Sequence, residues 1–124
     1  MPTKSERLNI LSGQEQFALY GLPDFDDCQR MEYFIFTEHE MALVLNRQNV
    51  YAQVHCALQI GYFKAKQTFF IFSWDEVEED CAFLLTRYFN ELVFLPMPVT
   101  RHERYAQRDL IVNLFGYRLW VVDF

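Results

Sequence analysis

The chain is poor in the residues that break regular structure. Its 4 glycines and 4 prolines in 124 residues argue against a loop-rich or disordered protein. The 3 cysteines, Cys28, Cys56 and Cys81, are odd in number and far apart, which excludes a disulfide framework and any CxxC-type metal site. They read as buried thiols in a reducing cytoplasm. No apolar run approaches the roughly 18 residues that a membrane span needs. The start, MPTKSERLNI, lacks the apolar core of an export signal, so a soluble, unexported protein with no membrane partner is expected. No GxSxG, HExxH, glycine-rich phosphate loop or pair of catalytic carboxylates occurs. His39, His55 and His102 are scattered, and neighbours such as His55 and Cys56 point in different directions on a helix. No active site, metal, cofactor or small-molecule substrate is expected.

One further absence is local. The formal net charge is −6, yet residues 48–72, QNVYAQVHCALQIGYFKAKQTFFIF, contain no Asp or Glu. The acid is segregated: residues 41–72 hold Arg47, Lys64 and Lys66 against no acid, whereas residues 73–91 carry six acidic side chains and one basic. A molecule divided in this way can offer one attractive face to a polyanion despite its overall sign.

What the chain has in abundance is aromatic. With 13 Phe and 7 Tyr, and 52% hydrophobic residues overall, it can build one continuous core, largely from packed rings. No repeat or linker divides it, so residues 1–124 are expected to form a single helical domain. Helix starts are legible in local chemistry. Thr37 with Glu40, Ser73 with Glu76, and Thr100 with Glu103 each place a hydroxyl three residues before a carboxylate, the capping-box pattern. Asp24, Asp26 and Asp27 suit the positive end of another helix. SGQEQFALYGLP is expected to be a short helix begun by Ser12 and stopped by Gly21 and Pro23. After Ser73, Trp74, Val77, Cys81, Leu84, Leu85 and Tyr88 form one helical stripe, leaving Asp75, Glu76, Glu79 and Asp80 as a solvated acidic face. QTFFIF is expected to be an extended, buried connector, because no second alternating run exists to pair with it.

Between Thr37 and Ser73 two helical patterns, about 38–46 and 49–63, flank the polar break NRQN. The fold class expected is therefore all-α, a compact multi-helix domain containing a helix-turn-helix-like unit. On the second helix Val50, Val54, Ala57, Leu58 and Gly61 should face the core. Asn49, Gln53, Ile60 and Lys64 lie opposite. Asn and Gln can pair bidentately with adenine, and Lys and Arg neutralise phosphates. A DNA-binding set follows: Gln48, Asn49 and Gln53 at base edges in the major groove, with Arg47, Lys64 and Lys66 on phosphates and Gln67 beside them. After Thr100, Arg101, Arg104 and Arg108 share a face with Gln107 nearby and join the set. LIVNLFG is apolar all round, so this helix is expected to dive into the core and end at Gly116.

ILS at 10–12, YGLPDF at 20–25, ALQIGYFKAKQTFFIF at 57–72, EVEED at 76–80, RYF at 87–89 and LFGYR at 114–118, in this order and spacing, resemble the N-terminal domain of replicative transposases of the Tn-three family. The resemblance spans about residues 10–119. It implies a helical module that recognises the terminal inverted repeats of a transposon as double-stranded DNA, in a bacterial, nucleoid-associated setting. It places the catalysis of the parent DDE-type enzyme in a separate, later domain. Relative to such transposases the chain stops early, at Phe124, and is expected to be a shortened recognition region, without catalytic activity of its own. Its apolar tail, LWVVDF, is expected to pack into the core, to contact a second chain, or to have continued into a missing part. The alternative reading is a protein-interaction or dimerisation module of a transposase remnant, with a homodimer as its simplest form.

Overall fold

A computed structural model of the protein describes residues 17–18, 21–90 and 94–123, with side chains at 18, 21–90 and 94–116. The described residues are mainly helical, as expected. The helices are α1 (Asp27–Tyr33), α2 (Glu38–Leu45), α3 (Val50–Lys66), α4 (Glu78–Tyr88) and α5 (Arg101–Asp123), with a 3-10 turn over Trp74–Val77 ahead of α4.

Local chemistry starts these helices where the spacing predicts. At α1 the Asp26 carboxylate accepts from the Gln29 N–H at 2.8 Å, and the Gln29 side chain accepts from the Asp26 N–H at 2.9 Å. Thr37 and Glu40 exchange the same pair of bonds at α2. Glu76 reaches back to the Ser73 N–H at 2.8 Å. At α5 only half of the box is made. Thr100 Oγ1 accepts from the Glu103 N–H at 3.1 Å, while the Glu103 carboxylate turns to Arg47 instead. Helix α3 is capped by Asn49, whose Oδ1 accepts from the Ala52 N–H at 3.0 Å. It ends at Gln67, which takes the left-handed conformation (φ 58°) that usually falls to glycine.

Helix α3 is the hub of the fold. Ala52 and every residue from Val54 to Tyr62 are buried, because α1, α2, α4, α5 and the strand after α3 all pack on it. The stripe Val54, Ala57, Leu58 and Gly61 faces inward as expected, with Val50 half-buried. Ile60, expected opposite, is fully buried as well. A helix covered on all sides has no solvent face along its middle, so the side of α3 that periodicity assigns to a groove is occupied by the protein itself. Around it the core is built of rings. Phe34 lies with Phe25, Phe36, Tyr62 and Phe83 at centroid separations of 5.6, 6.3, 5.9 and 6.2 Å. Gly61 makes room for it: a Cβ there would overlap the Phe34 ring, coming within 3.1 Å even of Cζ.

Several expectations are corrected. Phe17–Ala18, placed in a helix by the pattern from Ser12 to Gly21, form strand β1, and Phe69–Phe70 of QTFFIF form β2. The two pair in parallel. The connector is thus extended and buried, but paired, and its edge is held by Gln59, which donates to the Phe70 carbonyl at 2.6 Å and accepts from the Phe70 N–H at 3.2 Å. The rest of that first predicted helix lies outside the described residues. Helix α5 runs through Gly116 to Asp123, since one glycine inside a helix costs only about 1 kcal/mol against alanine. Its LIVNLFG stretch buries Ile111 but leaves Leu110 and Val112 more than a third exposed. The tail side chains from Leu119 onward lie outside the described residues. Cys56 and Cys81 are buried, whereas Cys28 is exposed. Asp80 leaves the acidic face for the interior, where it accepts from Arg30 Nε at 2.7 Å and from the Tyr62 hydroxyl. Among the described residues no helix is long and apolar enough to cross a membrane.

Candidate nucleic-acid interface

Helices α3 and α5 lie side by side and run in the same direction. Arg47 meets Glu103 at one end, His55 meets Gln107 in the middle, and Phe63 meets Phe115 further along. Both N-termini therefore open at the same end of the molecule. Between them is a groove of about 250 Å³, lined by Arg47, Gln48, Asn49 and Tyr51 on one side and by Thr100 and His102 on the other. A helix N-terminus presents unpaired N–H groups and a partial positive charge, so two of them on one groove favour negative charge there. Glu103 also lines the groove. It is neutralised by Arg47 through two bonds, Nε at 2.8 Å and Nη2 at 3.2 Å.

Behind the groove a buried chain of polar groups locks the two helices together. Gln107 Nε2 donates to the Ala52 carbonyl at 3.2 Å and to Glu103 at 2.9 Å. Its Oε1 must then accept from His55 Nδ1, 2.7 Å away, which places the imidazole proton on Nδ1. Burial pushes His55 down to about 4, against the opposing effect of its hydrogen bond to Gln107, so the ring is neutral at pH 7. Burial alone would raise the Glu103 carboxyl, but the hydrogen bonds from Arg47 and Gln107 and the Arg47 charge hold it below the usual range. Arg47 is raised in turn, first by its bond to Glu103.

The residues singled out in the sequence separate into three groups. Some are structural ties. Gln107 is buried, so no duplex can reach it. Arg47 is committed to Glu103, Asn49 caps α3, and Gln53 Nε2 donates to the carbonyls of Arg47 at 3.1 Å and Leu45 at 3.4 Å, closing the turn between α2 and α3. Others lie toward this end: Gln48 lines the groove, whereas Arg101, Arg104 and Arg108 are on α5 outside its lining. Gln48 and Arg101 are exposed. The Arg101 guanidinium lies 5.4 Å from the Tyr105 ring, and that of Arg108 lies 4.9 Å from the same ring. Arg104 donates to the Val99 carbonyl at 3.1 Å, and Arg108 pairs with Asp109 at 2.7 Å. The third group sits at the far end of α3, about 25 Å away at 1.5 Å per residue. Lys66 and Gln67 are exposed there, and Lys64 lies 3.3 Å from Glu40 and over the Phe36 ring. The middle of α3, expected from periodicity to present a groove-facing side, is thus covered by the protein, and the residues of the set that α3 leaves accessible lie toward its two ends.

Tyr51, Thr100 and His102 line the groove and were not among the candidates. Tyr51 sits two residues past the Asn49 cap, where the first turn of α3 is still open, so cap position is the signal that would have found it. His102 looked isolated because its neighbours in space lie some fifty residues earlier in the chain. Among the described residues, no group of three His, Cys, Asp or Glu side chains is placed to hold a metal ion.

No curated protein and no solved structure matches the chain. A family model described as a domain of unknown function, DUF4158, matches residues 10–122, a span that takes in both walls of the groove, α1 to α4 and all but the last residue of α5. The chain is therefore a member of the DUF4158 family.

Proposed function

We propose that this domain is a double-stranded DNA recognition module of a replicative transposase of the Tn-three family, with no catalytic step of its own. The carrying observation is the shared opening of the α3 and α5 N-termini on one groove whose carboxylate is already neutralised by Arg47. The motif resemblance supports the same reading, as does the occurrence of DUF4158 domains in such transposases.

Contact in this reading is made by helix ends. A phosphate at the groove would meet the first-turn N–H groups of α3 and α5, with the exposed Arg101 at the first position of α5 on the same end of the molecule. Gln48 projects from the turn just ahead of α3 and is the side chain placed to read a base edge. Gln53, Asn49 and Gln107 shape the end and touch no base. The titratable groups that converge behind the groove, His55, Glu103 and Arg47, are spent on holding α3 against α5.

The test is a titration of the domain against a labelled duplex carrying a transposon end, at several salt concentrations. The logarithm of the affinity should fall against that of salt with a slope of about 0.9 per phosphate contacted. Arg101→Ala should weaken all sequences alike and lower that slope by about one. Gln48→Ala should relax discrimination by about 1–3 kcal/mol at one base pair. An affinity indifferent to salt, or unchanged in Arg101→Ala, would defeat the proposal.

A further inference from the structure

A second surface has the opposite chemistry. The extended segment 94–100 lies across the start of α4, tied by the Trp74 indole N–H, which donates to the Met97 carbonyl at 3.0 Å, and by the edge-to-face contact of Trp74 with Phe94 at 5.1 Å. Between this strap and α4 runs a groove of about 410 Å³ with an apolar floor of Trp74, Leu85, Phe94 and Pro96. Its lip carries Asp75 and Glu78, and among the described residues no Lys or Arg lines it. Neither carboxylate has an ion-pair partner among the described residues, in contrast to Glu79 and Asp80 on the same helix, which Arg30 neutralises. Just outside the groove Leu95 is 74% and Met97 51% exposed. Two large apolar side chains on a strap held by the Trp74 hydrogen bond and ring contact form a continuous apolar edge, unlike scattered surface leucines.

We propose that this groove docks a basic amphipathic segment of a partner polypeptide, with apolar side chains filling the floor and flanking Lys or Arg pairing with Asp75 and Glu78. Charge decides among the occupants that an apolar floor could take. Nucleic acid and an anionic membrane are repelled by the lip, and a second copy of a chain with net charge −6 brings the wrong overall sign. The acid concentrated in residues 73–91 thus gains a role beyond solvation. It selects a cationic partner at the interface rim while the ring-lined floor supplies the area. This inference is independent of the DNA reading, and the two surfaces involve different residues.

The probe is a synthetic helical peptide of leucine and lysine about 16 residues long, compared with its twin in which every lysine is glutamate. Trp74 fluorescence and calorimetry on the intact chain report binding. Saturable binding of the lysine peptide and none of the glutamate peptide is expected. Leu95→Ser with Met97→Ser, which changes no charge and alters only exposed positions, should weaken it about tenfold or more, as should Asp75→Asn with Glu78→Gln. The charge-matched control Glu32→Gln with Glu38→Gln, at exposed positions elsewhere, should bind as the parent does. Equal weakening by the control, or no effect of the Leu95 and Met97 changes, overturns the proposal. So does a concentration-dependent dimer in sedimentation that those two changes abolish, or binding to phosphatidylcholine vesicles that they abolish. Duplex affinity should be untouched by Leu95→Ser with Met97→Ser, so failure of the DNA reading and failure of this one are seen separately.

Discussion

Gly61→Ala should destabilise the protein although alanine is the better helix former. Gly61 lies inside α3, where the substitution alone would stabilise by about 1 kcal/mol. Against this stands the Phe34 ring, which a Cβ would overlap. Phe34 is completely buried and boxed in by Phe25, Phe36, Tyr62 and Phe83, so it cannot swing aside without moving four other rings. Overpacking of this kind costs about 1–3 kcal/mol and sometimes more, and the closeness of the overlap argues for the upper part of that range. The net effect is a loss on the order of 1–2 kcal/mol. With an unfolding entropy of about 2.1 cal/mol/K per residue, each kcal/mol moves Tm by about 4 °C in a chain this long, so a fall of roughly 4–8 °C is expected in thermal unfolding followed by far-UV circular dichroism. Gly116→Ala is the matched control inside α5. There the new Cβ meets Val112 Cγ1 at 3.7 Å, an ordinary contact, so Tm should rise by about 2–4 °C. Phe34→Leu combined with Gly61→Ala should recover part of the loss, because the smaller side chain opens the space. A Gly61→Ala protein as stable as the parent, or shifts of the same sign at both glycines, would refute the reasoning.

The remaining predictions concern buried polar groups. His55 is held near pKa 4 in the fold and returns to about 6.5 when unfolded, so the unfolded chain binds the proton more readily. Its contribution is fully present above about pH 6.5 and is lost as pH falls toward 4, by on the order of 3 kcal/mol in total. His55→Asn should flatten urea midpoints across that window, and an unchanged pH slope would show that His55 is not responsible. Glu103, held low by Arg47, adds a further loss that begins as pH falls through the ordinary carboxylate range and is completed below it. Asp80→Ala should cost about 3 kcal/mol, because it strips the nearest carboxylate from the largely buried Arg30 and the acceptor from Tyr62. Asp27→Ala, which removes a fully exposed partner of the same arginine, should stay within about 0.5 kcal/mol. Equal costs at the two sites would contradict the assignment of Asp80 to the interior.

The helix starts were legible because a cap is made by residues three apart. Asp26 with Gln29 and Thr37 with Glu40 need nothing from the rest of the chain. The ring-built core was legible from composition. The strand pair was not, since Phe17–Ala18 and Phe69–Phe70 are each two residues long and become strands only by meeting. At the candidate interface the sequence named Gln48 and Arg101 correctly as surface groups but could not separate them from Gln107. Period alone sets these side chains on helices, and a partner such as His55, far back in the chain, decides which of them is inside.

Read alone, the string of residues was enough to specify a mainly helical fold, most of its caps and the separation of its acidic and acid-free stretches, because propensity, capping and charge are properties of near neighbours. It took the packed molecule to put α3 at the centre, to bury Asp80 and Gln107, and to bring the starts of α3 and α5 to one groove. Those outcomes depend on contacts between residues about fifty positions apart, where burial turns a polar side chain from a surface group into an internal tie.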